Sequence, residues 1–416
     1  LRSERKHIAV VLQNVKLPFI FEEAEALGLE LTFFYNSEDP APGGLPGVIK
    51  CVPIPIFSDA SAAFQIMKAE HEQRRFDGIV TLSEPSLNFV AHVAQSLGLR
   101  FLSPETVENC RDKRSIRRTL DSNGLNTPGY IYHDGTRELD LGSLSFPLVV
   151  KPTNGFSSQG IIRVDDRDSL LEAVKNVQDI NERELSRIAR DKPGIIIEEF
   201  IDGPEYVAET LSINGAVFVL SIGDKGDCKG PYFEEGIYIA PARIGDQQRQ
   251  RISQEVIAAV KAMGITDGPA HTELRVNADG KPYVIETAPR VGGQGISHYI
   301  VKETTGVNLL KLVFLNALGE LRESDLPNPV VPSKTAGNYI IPVRGSGVFQ
   351  KIDCERNILD DASVNRVMQF FERGKLVRPY PHFSGYPGFI LTSHDNHQQC
   401  EDFYKALDEN LVIEYD

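Results

Sequence analysis

Residues 271–290, HTELRVNADGKPYVIETAPR, leave the surrounding chain little freedom. Two β-rich runs flank Asp279-Gly280, a strong two-residue turn signal, and together they predict a β-hairpin. With Asp279 and Gly280 at the centre of the turn, Ala278 pairs with Lys281. Counting outward, Glu273 then faces Glu286 on the same side of the ribbon. Their Cβ atoms would stand roughly 4.5–5.5 Å apart, where two like charges repel. A solvated face with two unrelated acids is one resolution. A buried dication between them is another, and hard oxygen ligands suit Mg²⁺, above all when phosphates complete its shell. Arg290 and the glycines Gly292, Gly293 and Gly295 favour the second, because they add a fixed cation and open backbone N–H groups beside the metal.

A chain of 416 residues can pack two to four units. Its 41% apolar and 25% charged residues are ordinary for a globular protein. The formal net charge of −14 argues against a nucleic-acid partner or an anionic membrane surface, so an anionic ligand needs a local basic pocket and a metal. Cys51, Cys110, Cys228, Cys354 and Cys400 are scattered without zinc-like spacing and read as reduced thiols of a cytoplasmic protein. No apolar run reaches membrane-spanning length. A strand-like HIAVVLQ begins near the N-terminus with no signal-peptide pattern.

Residues 7–110 alternate strand and helix signals. HIAVVLQ, LELTFFY, VIKCVPI, DGIVTL and LRFLS read as buried strands, with helical periodicity near 17–28, 60–75 and 86–98. This βαβ pattern implies an open parallel sheet. No GxGxxG follows the first strand, which excludes a dinucleotide fold. Ligands of such sheets lie beyond the carboxyl ends of the strands, which is where Glu84 falls. The alternative for Glu84 is a solvated acid at a helix start. A basic helix follows at 111–125. Residues 147–200 give strand, Gly/Ser loop, strand, helix and strand. Antiparallel strands dominate after 205, with helices near 246–263 and 297–318. A Pro-rich linker at 323–334 precedes a small α+β unit. The boundaries predicted are 1–110, 111–210, 211–325 and 326–416.

Lys151 ends an apolar strand and is followed by the loop at 153–160. Small residues there let backbone amides approach phosphate oxygens, and Ser157 and Ser158 add donors. It is not a Walker A loop, since no GxxxxGK[ST] occurs. At 195–205 a buried strand runs into acids; a strand edge of this kind can supply the donor, acceptor and apolar walls that adenine needs, and Glu205 could accept from ribose hydroxyls.

The order of these parts is more specific than any one of them. Lys113 at a helix start, PLVVKP with Lys151, the Gly/Ser loop, EEFIDGPEY, TEL…ETAPR and an arginine follow one another. The chain resembles the ATP-grasp superfamily of carboxylate–amine ligases over about residues 7–320. Within it, GPYFEE at 230–235, His271-Thr272-Glu273 and Glu286-Thr287-Ala288-Pro289-Arg290 look most like L-amino-acid (dipeptide) ligases. The fold implied combines α/β and α+β parts: an N-terminal open parallel α/β domain, a central nucleotide-clamping domain, and a C-terminal α+β region. The resemblance implies that Lys113 and Lys151 bind ATP phosphates and that Ser157, Ser158 and Gln159 form a mobile lid. Glu198, Glu199, Phe200 and Ile201 would hold adenine, partly by backbone, and Glu205 the ribose. Glu273 and Glu286 would hold Mg²⁺, two ions by family habit, with Mn²⁺ as a substitute. Arg290, with Lys151, would serve the chemistry at an acyl phosphate. Glu84, Glu235, Tyr238 and His271 would surround two amino acids, and Gly292, Gly293 and Gln294 would wall the acceptor pocket. One departure stands out. Ala288 occupies the position where many relatives carry Asn as a further metal ligand. Alternatives are a purine-biosynthesis-like or other small-molecule carboxylate–amine ligase, and a nucleotide-binding module without turnover. A homodimer is left open.

Overall fold

The computed structural model describes residues 5–134, 139–155, 158–187, 194–226, 228, 230–378 and 384–416. Ser157 therefore lies outside the described residues, as does the neighbouring Phe156. No helix among them is long and apolar enough to cross a membrane.

Four parallel strands open the chain: β1 (His7–Val11), β2 (Glu30–Asn36), β3 (Val48–Ile54) and β4 (Gly78–Val80), in the order β3-β2-β1-β4. Every residue of β1 is buried, as expected for a parallel sheet covered on both faces. The fifth strand predicted at 99–103 does not form. Phe101 and Leu102 pack against Leu87, Ala91 and Val107, and Ser103 caps helix Pro104–Arg111 by accepting from Thr106 N at 3.1 Å. Pro104 has no N–H to give a sheet and suits a first helical turn. The next helix, Lys113–Ser122, is separately capped by Asp112. The single helix predicted near 297–318 is two, Ile296–Thr305 and Leu309–Ala317, broken at Gly306 with φ of 74°.

A second, antiparallel sheet holds β5 (Tyr130–His133), β6 (Leu148–Pro152), β7 (Ile162–Val164) and β8 (Ile195–Glu199) in the order β5-β8-β6-β7. The remaining strands are β9 (Glu205–Ile213), β10 (Ala216–Asp224), β11 (Ile237–Ala240), β12 (Gly268–Val276), β13 (Pro282–Ala288), β14 (Thr335–Ile340), β15 (Gly347–Asp353), β16 (Val364–Gln369), β17 (Leu376–Val377), β18 (Gly388–His394) and β19 (Val412–Tyr415). Eight of them form one sheet, β13-β12-β9-β10-β11-β14-β18-β16. β15, β17 and β19 form a small separate sheet. The division drawn at 210/211 falls inside β9, and the one at 325/326 separates stretches of chain but not of sheet, because β11 pairs with β14.

The hairpin pairs Glu273 with Glu286 as predicted, by a different route. The turn has three residues, not two: Asn277 N donates to Lys281 O at 3.0 Å, and only Gly280 takes a positive φ, of 74°. That shifts the register by one, so Val276 faces Pro282. A bulge between Glu273 and Leu274 shifts it back.

Candidate active site

The hairpin projects its paired acids into a cavity of about 490 Å³, a volume suited to a small ligand. Glu286 Oε2 lies 3.0 Å from Lys113 Nζ. Lys113 is placed by its backbone, whose N–H donates to Thr153 O at 2.9 Å and ties the helix start to the end of β6. Glu273 Oε1 lies 2.9 Å from Lys225 Nζ and 3.6 Å from His271 Nε2. Lys225 also reaches Glu205 at 2.9 Å and Glu235 at 3.1 Å. Burial alone would lower the Lys225 pKa; three carboxylates raise it well above the ordinary lysine value.

A second buried group sits between β6, β8 and helix Lys113–Ser122. Glu198 accepts from Arg117 Nε at 2.7 Å and Nη2 at 3.1 Å, and meets Lys151 Nζ at 2.5 Å. Burial would raise the Glu198 carboxyl, but Arg117 and Lys151 bring it to about 2. Lys151 goes down to about 8, because burial is only partly offset by Glu198 and both Arg117 and Lys113 oppose its charge. Arg117 already answers the carboxylate, so Lys151 is the surplus cation. The Glu198 carboxylate thus organises Lys151.

The rest of the predicted adenine segment lies apart from the 490 Å³ cavity lining. Glu199 Oε2 accepts from Gly129 N at 3.1 Å. Phe200 lies beneath the guanidinium groups of Arg163 and Arg275, at 4.4 and 4.8 Å. Arg275 also donates to Ile201 O at 2.8 Å, Gly203 O at 2.7 Å and Glu205 Oε2 at 2.8 Å. Of the loop, Ser158 and Gln159 line the cavity, and Gln159 donates to Glu184.

At the other end, Glu84 begins a short 3-10 turn past β4, at the carboxyl edge of the parallel sheet as predicted. It is neither solvated nor free. Arg290 Nε donates to it, and Arg111 lies 3.6 Å away. Burial would raise its pKa; the two arginines hold it below the usual range. Glu84 lines the cavity and holds Arg290 in place there. Glu235 is likewise engaged, by Lys225 and by the Tyr386 hydroxyl at 2.5 Å.

His271 and Tyr238 converge on a residue that no sequence signal picked out. Glu209, buried in mid-β9, accepts from Tyr238 at 3.1 Å and Ser297 at 2.5 Å, and lies 2.6 Å from His271 Nδ1. Burial would lower the His271 pKa, but Glu209 brings it up to about 9. Gly292 is obligatory beside this group: a Cβ there would stand 2.3 Å from Ser297 Oγ and 2.4 Å from His271 Nδ1. Gly293 and Gln294 take left-handed backbone conformations. The Gln294 side chain accepts from Asn14 N at 2.7 Å, which joins this wall to the N-terminal sheet's first loop.

Lys225, Arg117 and Arg275 were also missed. Arg117 had a signal, four residues from Lys113 and so on the same helical face. Arg275 sits two residues beyond Glu273 on β12, hence on the same strand face.

The donor set fits Mg²⁺ accompanied by nucleotide phosphates. Glu273 and Glu286 are opposed carboxylates, each paired through one oxygen, and phosphate and water oxygens can fill the remaining positions. No cluster of three or more His, Cys, Asp or Glu side chains suited to a metal occurs among the described residues.

Residues 144–298 match the ATP-grasp domain model, and residues 21–100 the ATP-grasp N-terminal domain model. The L-amino acid ligase from Bacillus licheniformis is 53% identical, with a TM-score of 0.94 and all of both chains covered. The alanine–anticapsin ligase of Bacillus subtilis (strain 168) is 25% identical over 61% of this chain and 56% of its own. A D-alanine–D-alanine ligase from Cupriavidus pinatubonensis is 25% identical over 44% of this chain and 56% of its own. The chain thus spans little more than half the length of these two curated relatives. Phosphoribosylglycinamide synthetase from Anaerococcus prevotii, 17% identical with a TM-score of 0.70, shares the fold. On the matched domains and the full-length likeness, the chain belongs to the ATP-grasp family of ligases.

Proposed function

We propose that the protein joins two L-amino acids at the expense of ATP, through an acyl phosphate, with release of ADP and phosphate. The carrying observation is the split of charge within one site: a surplus cation at Lys151 beside Lys113, and an excess of carboxylates around Lys225 and Glu273. The first suits phosphates. The second suits a phosphate-bound metal, and Glu273 with Glu286 would hold it. Mg²⁺ would offset charge on the transferring phosphoryl group; a second ion, or Mn²⁺ in its place, fits the family's habit.

Lys113 and Lys151 bind and orient the phosphates. Arg290, fixed by Glu84, faces the carboxyl carbon and stabilises the oxyanion as the amine attacks. Asn154, Gly155, Ser158 and Gln159 cover the phosphates and exclude water. Glu198 to Ile201 and Glu205 line the nucleotide side through Arg117 and Arg275. His271, Tyr238 and Glu235 stand at the amino-acid side, where a buried ammonium or carboxylate must find a partner. The likeness to an L-amino acid ligase over the whole chain favours amino acids over other carboxylates.

A matrix of amino-acid pairs, scored for ADP and phosphate release with mass detection of the product, tests this reading. Dipeptide formation from at least one pair is expected. ATP turnover only with other carboxylates or amines would replace the substrate class, and none with any would remove the ligase activity.

A further inference from the structure

Among the described residues, five cationic side chains line the cavity: Lys113, Lys225, His271, Arg290 and Lys375. Four lie against carboxylates: Lys113 on Glu286, Lys225 on Glu205, Glu235 and Glu273, His271 on Glu209, and Arg290 on Glu84. Lys375 differs. Among the described residues no ion-pair partner accompanies its ammonium, and Glu372, the acid that influences it most, is taken by Lys16 at 2.8 Å. Its Nζ stands 4.5 Å from the centre of the Phe371 ring, at the cavity rim.

The surroundings of Lys375 also differ in kind. Along the eight-stranded sheet the cavity wall changes from Glu286 and Glu273 on β13 and β12 to Ile340 on β14 and Phe389 on β18. Ile340 and Phe389 face each other across those strands. Phe370, just past β16, packs edge-on against Phe389 at 4.8 Å between ring centres, and Tyr386 lies 5.3 Å from Phe389. The stretch after 325 thus supplies an apolar wall and, beside it, Lys375, which has no ion-pair partner among the described residues.

Two amino acids make different demands on a ligase. The activated one spends its carboxylate on the phosphoryl group. The other keeps its carboxylate throughout and must have it paired once it leaves bulk water. We propose that Lys375 anchors the carboxylate of the acceptor amino acid, whose side chain lies against Phe370, Tyr386 and Phe389. This rests on the ligase reading.

The test compares leucine with leucinamide as acceptor, with a common donor and mass detection of product. An amide cannot be activated, so leucinamide enters product only through its amine. Wild type should favour leucine by about tenfold or more in kcat/KM, the scale of a hydrogen bond to a charged group. Lys375→Met should bring the two within about twofold by weakening leucine, with KM for ATP unchanged, and Lys375→Arg should keep the preference. The same preference in wild type and Lys375→Met, or none in wild type, overturns the proposal. Calorimetric titration of leucine and leucinamide in the presence of ADP and Mg²⁺ needs no turnover. If ligation fails for every pair while leucine still binds better than leucinamide in a Lys375-dependent way, the ligase reading falls and the carboxylate site stands. If neither titration shows that dependence, the site falls.

Discussion

Lys151 and Lys225 are both buried lysines, and their surroundings push them in opposite directions. Burial lowers the Lys151 pKa to about 8, because the one carboxylate that opposes the drop is shared with Arg117 and Lys113 lies nearby. Lys225 faces three carboxylates and is held well above the ordinary value. One centre has a positive charge to spare and the other a negative one. An isolated protein gains nothing from keeping the two imbalances apart rather than letting them neutralise each other. A site that receives phosphates and a divalent cation together gains from both, because each ligand completes one imbalance.

The largest expected effect tests the anion-rich side. Glu286→Gln should lower turnover on the order of 10³-fold at saturating Mg²⁺, the scale of a lost metal contribution, read as ADP release. Charge counting along the hairpin alone predicts no loss of stability from this change. The Lys113 ion pair reverses that: a buried ammonium loses its partner, and chemical denaturation should show a cost of about 1–3 kcal/mol. Lys225→Met should be costlier to the fold, about 3–5 kcal/mol, because three carboxylates lose their shared cation. Mg²⁺ without nucleotide should recover part of that loss in the variant and almost none in wild type. No such recovery would mean that the carboxylates cannot take a metal.

Arg290→Ala should lose on the order of 10²–10³ in kcat with nucleotide affinity nearly unchanged. A collapse of ATP binding in a titration would move Arg290 to the nucleotide side.

The cation-rich side should show itself in pH dependence. The Lys151 pKa is lower in the folded protein than in the unfolded chain, so Lys151 loses its proton as pH rises through about 8. Nucleotide affinity should weaken above that pH, by up to roughly tenfold per unit. Stability should respond with the opposite sign. Between about 8 and the ordinary lysine range the unfolded chain binds more protons, so this group's contribution rises with pH. Lys151→Arg should flatten the affinity profile.

The smallest effect concerns the loop. Amide exchange at Asn154, Gly155, Ser158 and Gln159 should slow when an ATP analogue and Mg²⁺ are added. Equal protection with and without ligand would count against a lid.

The parts of the site readable from sequence are those fixed by local counting. Glu273 and Glu286 follow from one hairpin, and the count survived because the longer turn and the bulge offset each other. Glu84 follows from its place after β4. Lys113 and Lys151 sit at element ends, where a motif can be read. Glu209 and Lys225 could not be read that way. Glu209 lies within an apolar strand and meets His271 across 62 residues, and Lys225 draws its partners from β9, β12 and the segment before β11. The stretch after 325 was read as an appendage because nothing in its periodicity says that β14, β18 and β16 extend the sheet of β9 to β13 out of chain order. The cavity's apolar wall, and Lys375 with it, follows from that extension.

The cavity, with Lys151 buried behind Lys113, keeps a cation-rich and an anion-rich centre apart for a metal–nucleotide pair. Calorimetric titration of a non-hydrolysable ATP analogue, with and without Mg²⁺, addresses it directly in wild type and in the Glu273→Gln/Glu286→Gln double variant. Mg²⁺ should tighten the analogue at least about tenfold in wild type, the upper end of typical coupling being higher, and leave the double variant nearly unaffected. The same Mg²⁺ enhancement in both proteins would contradict the claim.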